Sequence, residues 1–123
     1  MNISLEFDGC YTEHKIFFDE MAKTMQKAGN KVGIITGRRV KEYDYTNNFV
    51  DNDKVIREYL GFKPDFMHLW GENETIANGA LWICRKLDQE DVLMHFSPNG
   101  TELKRYTGRW IVKTMDSGQQ KKF

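Results

Sequence analysis

Ile3-Ser4-Leu5-Glu6-Phe7-Asp8-Gly9-Cys10 is an apolar run that ends in two acids one residue apart, followed by a glycine. Alternate residues of a β-strand share a face, so Glu6 and Asp8, near the carboxyl end of such a strand, point roughly the same way. Two carboxylates held that close suit a divalent cation or proton transfer. The plainer reading of the pair is a strand end carrying two solvated acids.

Working outward, strands and helices alternate along the whole chain. Residues 2–7 read as a first strand, and Thr12 is placed to cap a helix over 13–28, with Phe17, Met21 and Met25 at helical spacing and Gly29 as its stop. Lys31-Val32-Gly33-Ile34-Ile35-Thr36 reads as a second strand, and the polar, tyrosine-rich run 38–51 mainly as loop. Asp51 or Asn52 caps a helix carrying Val55, Ile56, Tyr59 and Leu60, closed by Gly61. A third strand covers 65–70. Asn73 is then expected to cap a helix through Leu87, with Ile76, Ala80, Leu81 and Cys84 on one side. A fourth strand at 91–96, a short helix near 99–106 and a fifth strand at 109–113 complete the pattern. Repeated β-α alternation predicts an α/β fold of three layers, Rossmann-like, with a central parallel sheet of about five strands and helices on both faces. Ligands of such sheets bind at the carboxyl ends of the strands, where strand order reverses.

At 123 residues the chain is expected to form one domain over 1–116, with 117–123 as a flexible tail. Lysine plus arginine equals aspartate plus glutamate at 18 each, which argues against broad electrostatic binding of nucleic acid. No apolar run approaches the ~20 residues of a membrane span, and no charged-then-apolar leader is present. Cys10 and Cys84 form no metal or redox spacing and fit a reducing cytoplasm.

The pairing of Leu5-Glu6-Phe7-Asp8-Gly9 with Ile34-Ile35-Thr36-Gly37-Arg38, about 30 residues on with a helix between, resembles the haloacid dehalogenase (HAD) superfamily of phosphohydrolases. Its first motif is Asp-x-Asp-Gly; its second is a Thr or Ser ending an apolar strand, very often before Gly-Arg. The resemblance implies a covalent carboxylate nucleophile at the first acid, a general acid/base at the second, a hydroxyl and a lysine on the phosphoryl group, and acids after the fourth strand that help hold magnesium. On this chain the nucleophile position is Glu6, one methylene longer than aspartate. Asp8 is the acid/base position, and Thr36, Gly37, Arg38 and Lys86 are the candidate phosphate contacts. Where the family shows acids after the fourth strand, this chain has Ser97-Pro98-Asn99. Glu6, Asp8 and Asn99 therefore make a weak magnesium set. No segment is long enough for a separate cap domain.

The resemblance thus implies a phosphohydrolase fold with impaired or absent phosphatase activity, a binding domain for a phosphorylated ligand or a protein partner. The alternative is an active capless magnesium-dependent phosphohydrolase with Glu6 as nucleophile. Cys10 reads as a small loop residue rather than a reactive thiol, and His95 and His68 as structural histidines. The segment 43–49 reads as a connecting loop on the site side of the sheet, with substrate contact as its sharper reading. Glu102, one helical turn past Asn99, is a further acid within reach.

Overall fold

The computed structural model describes residues 1–71 and 78–115. The expected Asn73 cap, Ile76 and the tail at 117–123 lie outside them. Five strands, β1 (Asn2–Leu5), β2 (Lys31–Arg39), β5 (Met67–Trp70), β6 (Met94–Ser97) and β7 (Trp110–Lys113), form one parallel sheet in the order β5-β2-β1-β6-β7. Strand order runs outward in both directions from β1, so the reversal lies between β1 and β6. A doubly wound sheet opens its ligand crevice at that point.

Helices cover both faces, as the alternation predicts. Ile3, Leu5, Val32 and Ile34 pack with Phe18 and Ala22 of α1 (Lys15–Lys27) and Ile56 of α2 (Asn52–Tyr59). Ile35 and Ile111 pack with Ala80, Ile83 and Leu87 of α3 (Gly79–Gln89) and Leu103 of α4 (Gly100–Leu103). The odd residues of β1 thus serve one core, and the even ones face the other way. Ser4, on that second face, meets the buried His95 Nδ1 at 2.7 Å across the neighbouring strand. Among the described residues no helix is long and apolar enough to cross a membrane.

Several local readings need correction. Thr12 does not cap α1. The chain first makes a wide turn at Phe7–Tyr11, where Gly9 has φ 72°, and the Thr12 hydroxyl accepts from Gly9 N at 3.1 Å. The helix therefore starts at Lys15. The run 38–51 is not mainly loop. β2 continues to Arg39, which pairs with Trp70 after a register shift, and an antiparallel hairpin follows from β3 (Lys41–Tyr43) and β4 (Phe49–Asp51). Asp44 Oδ1 closes the hairpin tip by accepting from Thr46 N at 2.9 Å and Asn48 N at 3.0 Å, the side-chain turn chemistry that lets Asp replace a backbone acceptor. Asp51, not Asn52, caps α2 by accepting from Lys54 N. Asn78 caps α3, accepting from Leu81 N. α4 is one short turn rather than a helix over 99–106. Asn99 precedes it without a side-chain cap bond.

Candidate functional site

The sheet register builds the site. Ile3, Ser4 and Leu5 of β1 stand opposite Met94, His95 and Phe96 of β6, so the next rung sets Glu6 opposite Ser97. Glu6 N donates to Phe96 O at 2.9 Å, holding that rung closed. The Ser97 hydroxyl donates to Glu6 Oε2 and accepts from Asn99 N. Glu6 is only 6% exposed. Burial pushes its carboxyl up to about 8; the Ser97 hydrogen bond opposes the rise and the nearby Asp8 charge adds to it. At neutral pH Glu6 is therefore mostly an uncharged acid.

Asp8 is held differently. Arg38, two residues past Thr36 in β2, donates from Nη2 to Asp8 Oδ1 at 2.6 Å and from Nε to Asp8 Oδ2 at 3.1 Å. This is a two-pronged fork of the kind guanidinium makes with carboxylates. The same guanidinium lies over the Phe7 ring, 5.1 Å from its centroid. Thr36 is buried, and its hydroxyl accepts from Arg38 N at 3.2 Å. Glu6, Asp8, Thr36, Gly37 and Arg38 then line one open cleft of about 400 Å³ on the β2 side of β1, together with Glu42, Val50, Asn52 and Val55.

Lys86 and Asn99 are not on the cleft wall. Lys86 sits on α3, its ammonium 5.7 Å from the centroid of the Trp82 ring and 3.4 Å from Gln89 Oε1. Asn99 supplies its backbone N–H to Ser97. Cys10 is buried behind the acids, and burial pushes its thiol up to about 12, so it is no nucleophile near neutral pH. His95 is fully buried, and desolvation lowers it to about 3, so it stays neutral. His68 meets Glu90 at 2.9 Å, away from the cleft.

Sequence reasoning missed Glu42, Val50, Asn52 and Val55 as cleft residues. Asn52 is 1% exposed, and its amide donates to Arg39 O at 2.7 Å and Glu42 Oε1 at 2.9 Å, tying the hairpin to the base of α2. The available signal was the Asp51-Asn52 pair itself. Only one of the two can cap the helix, and the other is left free for a different task.

The donor set does not suit magnesium. That ion wants anionic oxygens in near-octahedral array. Burial disfavours the charge on Glu6, whose Oε2 is engaged by Ser97, and both Asp8 oxygens face a guanidinium. Among the described residues no three His, Cys, Asp or Glu side chains gather as a metal-binding group. Comparison with known families, with curated proteins and with solved structures finds no match to this chain.

Proposed function

We propose that this chain is a HAD-like domain that binds a phosphorylated ligand in the cleft at the end of β1 and hydrolyses it poorly or not at all. The carrying observation is the state of Glu6. Attack on phosphorus needs an anionic oxygen with a free lone pair, aligned and unencumbered. Glu6 is buried, its carboxyl is pushed up to about 8 by that burial, and Ser97 holds one of its oxygens, so the attacking anion is disfavoured and encumbered. Binding asks less. Thr36 offers a hydroxyl, Arg38 a planar fork, and Gly37 a stretch of backbone without a side chain in the way. The work of a metal cation falls to Arg38. The two cysteines are buried and unpaired, as suits a reducing cytoplasm.

One observation favours the second reading, an active capless phosphohydrolase with Glu6 as nucleophile and Asp8 as general acid/base. Glu6, Asp8, Thr36 and Arg38, drawn from two separate stretches of sequence, do converge on one cleft. The test is hydrolysis of a small aryl phosphate, with and without magnesium, by the unaltered protein, Glu6→Asp, Ser97→Asp and the double variant. The expected result is little or no turnover by the unaltered protein and no rescue by Glu6→Asp alone. The double variant should gain more than the product of the single gains, because groups that act on one event are strongly non-additive. Robust magnesium-dependent turnover by the unaltered protein, abolished by Asp8→Asn, would overturn the proposal.

A further inference from the structure

A second depression adjoins the cleft and shares two of its residues. Phe7, Thr12, Arg38, Val55, Glu58 and Tyr59 line an open groove of about 430 Å³. Arg38 and Val55 belong to both walls, so the two hollows lie side by side. Each falls within the ~300–1,000 Å³ of small-molecule sites.

The two hollows differ in chemistry. The cleft is lined by acids, an amide, a hydroxyl and a guanidinium. The groove is walled by Phe7, Val55 and Tyr59. Phe7 lies in sequence between the two acids, and it is almost fully buried, so it forms a floor rather than a rim. Tyr59 stands edge-on to it at 5.9 Å and is 44% exposed, and Val55 is 42% exposed. Arg38 makes the partition, with its charged fork toward Asp8 and its flat face on the Phe7 ring. A guanidinium edge is used for oxyanions and its face for rings. Glu58 also lines the groove; its side chain is 68% exposed and pairs with Lys54 at 4.0 Å, the outer limit of an ion pair.

We infer that the ligand is a phosphate monoester of a flat ring, a small aryl or nucleobase compound, with its phosphoryl group in the cleft and its ring in the groove between Phe7, Val55 and Tyr59. Charge runs in the matching sense: Arg38 meets the anionic end, and Glu58 meets a ring-borne N–H or O–H donor. This rests on the phosphoryl-binding reading of the cleft and adds the class of group attached to the phosphate.

Affinity is read by NMR titration of the protein with inorganic phosphate, methyl phosphate and phenyl phosphate. Phenyl phosphate should bind about tenfold tighter than methyl phosphate, the worth of a partly buried ring. Tyr59→Ala should remove most of that margin while leaving inorganic phosphate binding unchanged. Because Tyr59 also packs on Phe7 and Tyr11, that variant is paired with a measurement on the unaltered protein. Intermolecular NOEs should connect the phenyl protons of bound phenyl phosphate to the Val55 methyls and the Tyr59 ring. If all three compounds bind equally, or the NOEs fall on other residues, the ring subsite is wrong while the phosphoryl reading stands. If none of the three binds, both fall together.

Discussion

On the proposed reading, Arg38 is the residue that would meet an anion in the cleft. Its fork is already filled by Asp8, at 2.6 and 3.1 Å, so a phosphoryl oxygen must share the guanidinium or displace the carboxylate from it. Asp8→Asn removes a competitor and a repelling charge together. It should tighten inorganic phosphate several-fold, on the order of 1 kcal/mol, in an NMR titration at constant ionic strength. Weaker binding would mean that Asp8 serves to aim Arg38 rather than to compete for it. Glu6, Asp8, Thr36 and Arg38 could be singled out from the sequence because each follows or ends an apolar run, and the structure does bring them to one cleft. The partnership of Glu6 with Ser97 could not. Read singly, a glutamate for aspartate and a serine for an acid are two losses. Only the rung that sets them face to face makes them one hydrogen-bonded pair. Lys86 was a candidate only for the lysine that the family resemblance implies, and the helical phase of α3 carries its ammonium to Trp82 and Gln89 instead.

Among the elements, α2 is fixed from beyond its own length. Gly61, just past its carboxyl end, donates its N–H to Tyr11 Oη at 3.0 Å and Asp19 Oδ1 at 3.1 Å, and Lys15 closes the group with a 2.7 Å bond to Asp19 Oδ2. A Cβ on Gly61 would lie 2.3 Å from Asp19 Oδ2, so backbone or carboxylate must move. Gly61→Ala should cost about 1–3 kcal/mol in urea unfolding, as overpacking does. Gly108→Ala is the control: nothing lies within 4 Å of the added carbon, so it should be close to neutral. Equal losses in the two variants would show that crowding against Asp19 does not set the cost. All five strands of the main sheet were legible from their apolar runs. The hairpin was not, because Lys41-Glu42-Tyr43 and Phe49-Val50-Asp51 are short and mostly exposed and show no apolar alternation. Besides the backbone ladder, what holds them is the Asp44 turn, the Asn52 amide and the Tyr43–Phe49 ring pair, side-chain contacts that no periodicity reports. Helix starts failed for a related reason: several residues can cap, and tertiary contacts choose among them.

For the molecule as a whole, two buried titratable groups shape stability against pH. Glu6, raised from 4.5 to about 8, binds a proton in the folded state that the unfolded chain has already lost, so stability falls as pH rises through that window. His95, lowered from 6.5 to about 3, is the reverse: the unfolded chain takes up a proton that the folded state refuses, so stability falls as pH drops from about 6.5 towards 3. Between about 4.5 and 6.5 the two slopes oppose each other. Urea unfolding from pH 3 to 9 should therefore show a plateau there, with losses on the order of a few kcal/mol on each side. Glu6→Gln should flatten the alkaline side and leave the acid side in place. A decline above pH 6.5 that persists in Glu6→Gln would remove Glu6 as its cause. The same sheet order has a consequence during synthesis. β1 emerges from the ribosome first, yet one of its two neighbours, β6, is encoded some ninety residues later, between Leu5 and Phe96. At ~5–20 residues per second, one edge of the central strand stays unpaired for roughly 5–20 s while the rest of the chain is made. The strand that leads into the cleft's acids is thus the one most in need of shelter in the nascent chain until β6 has been made.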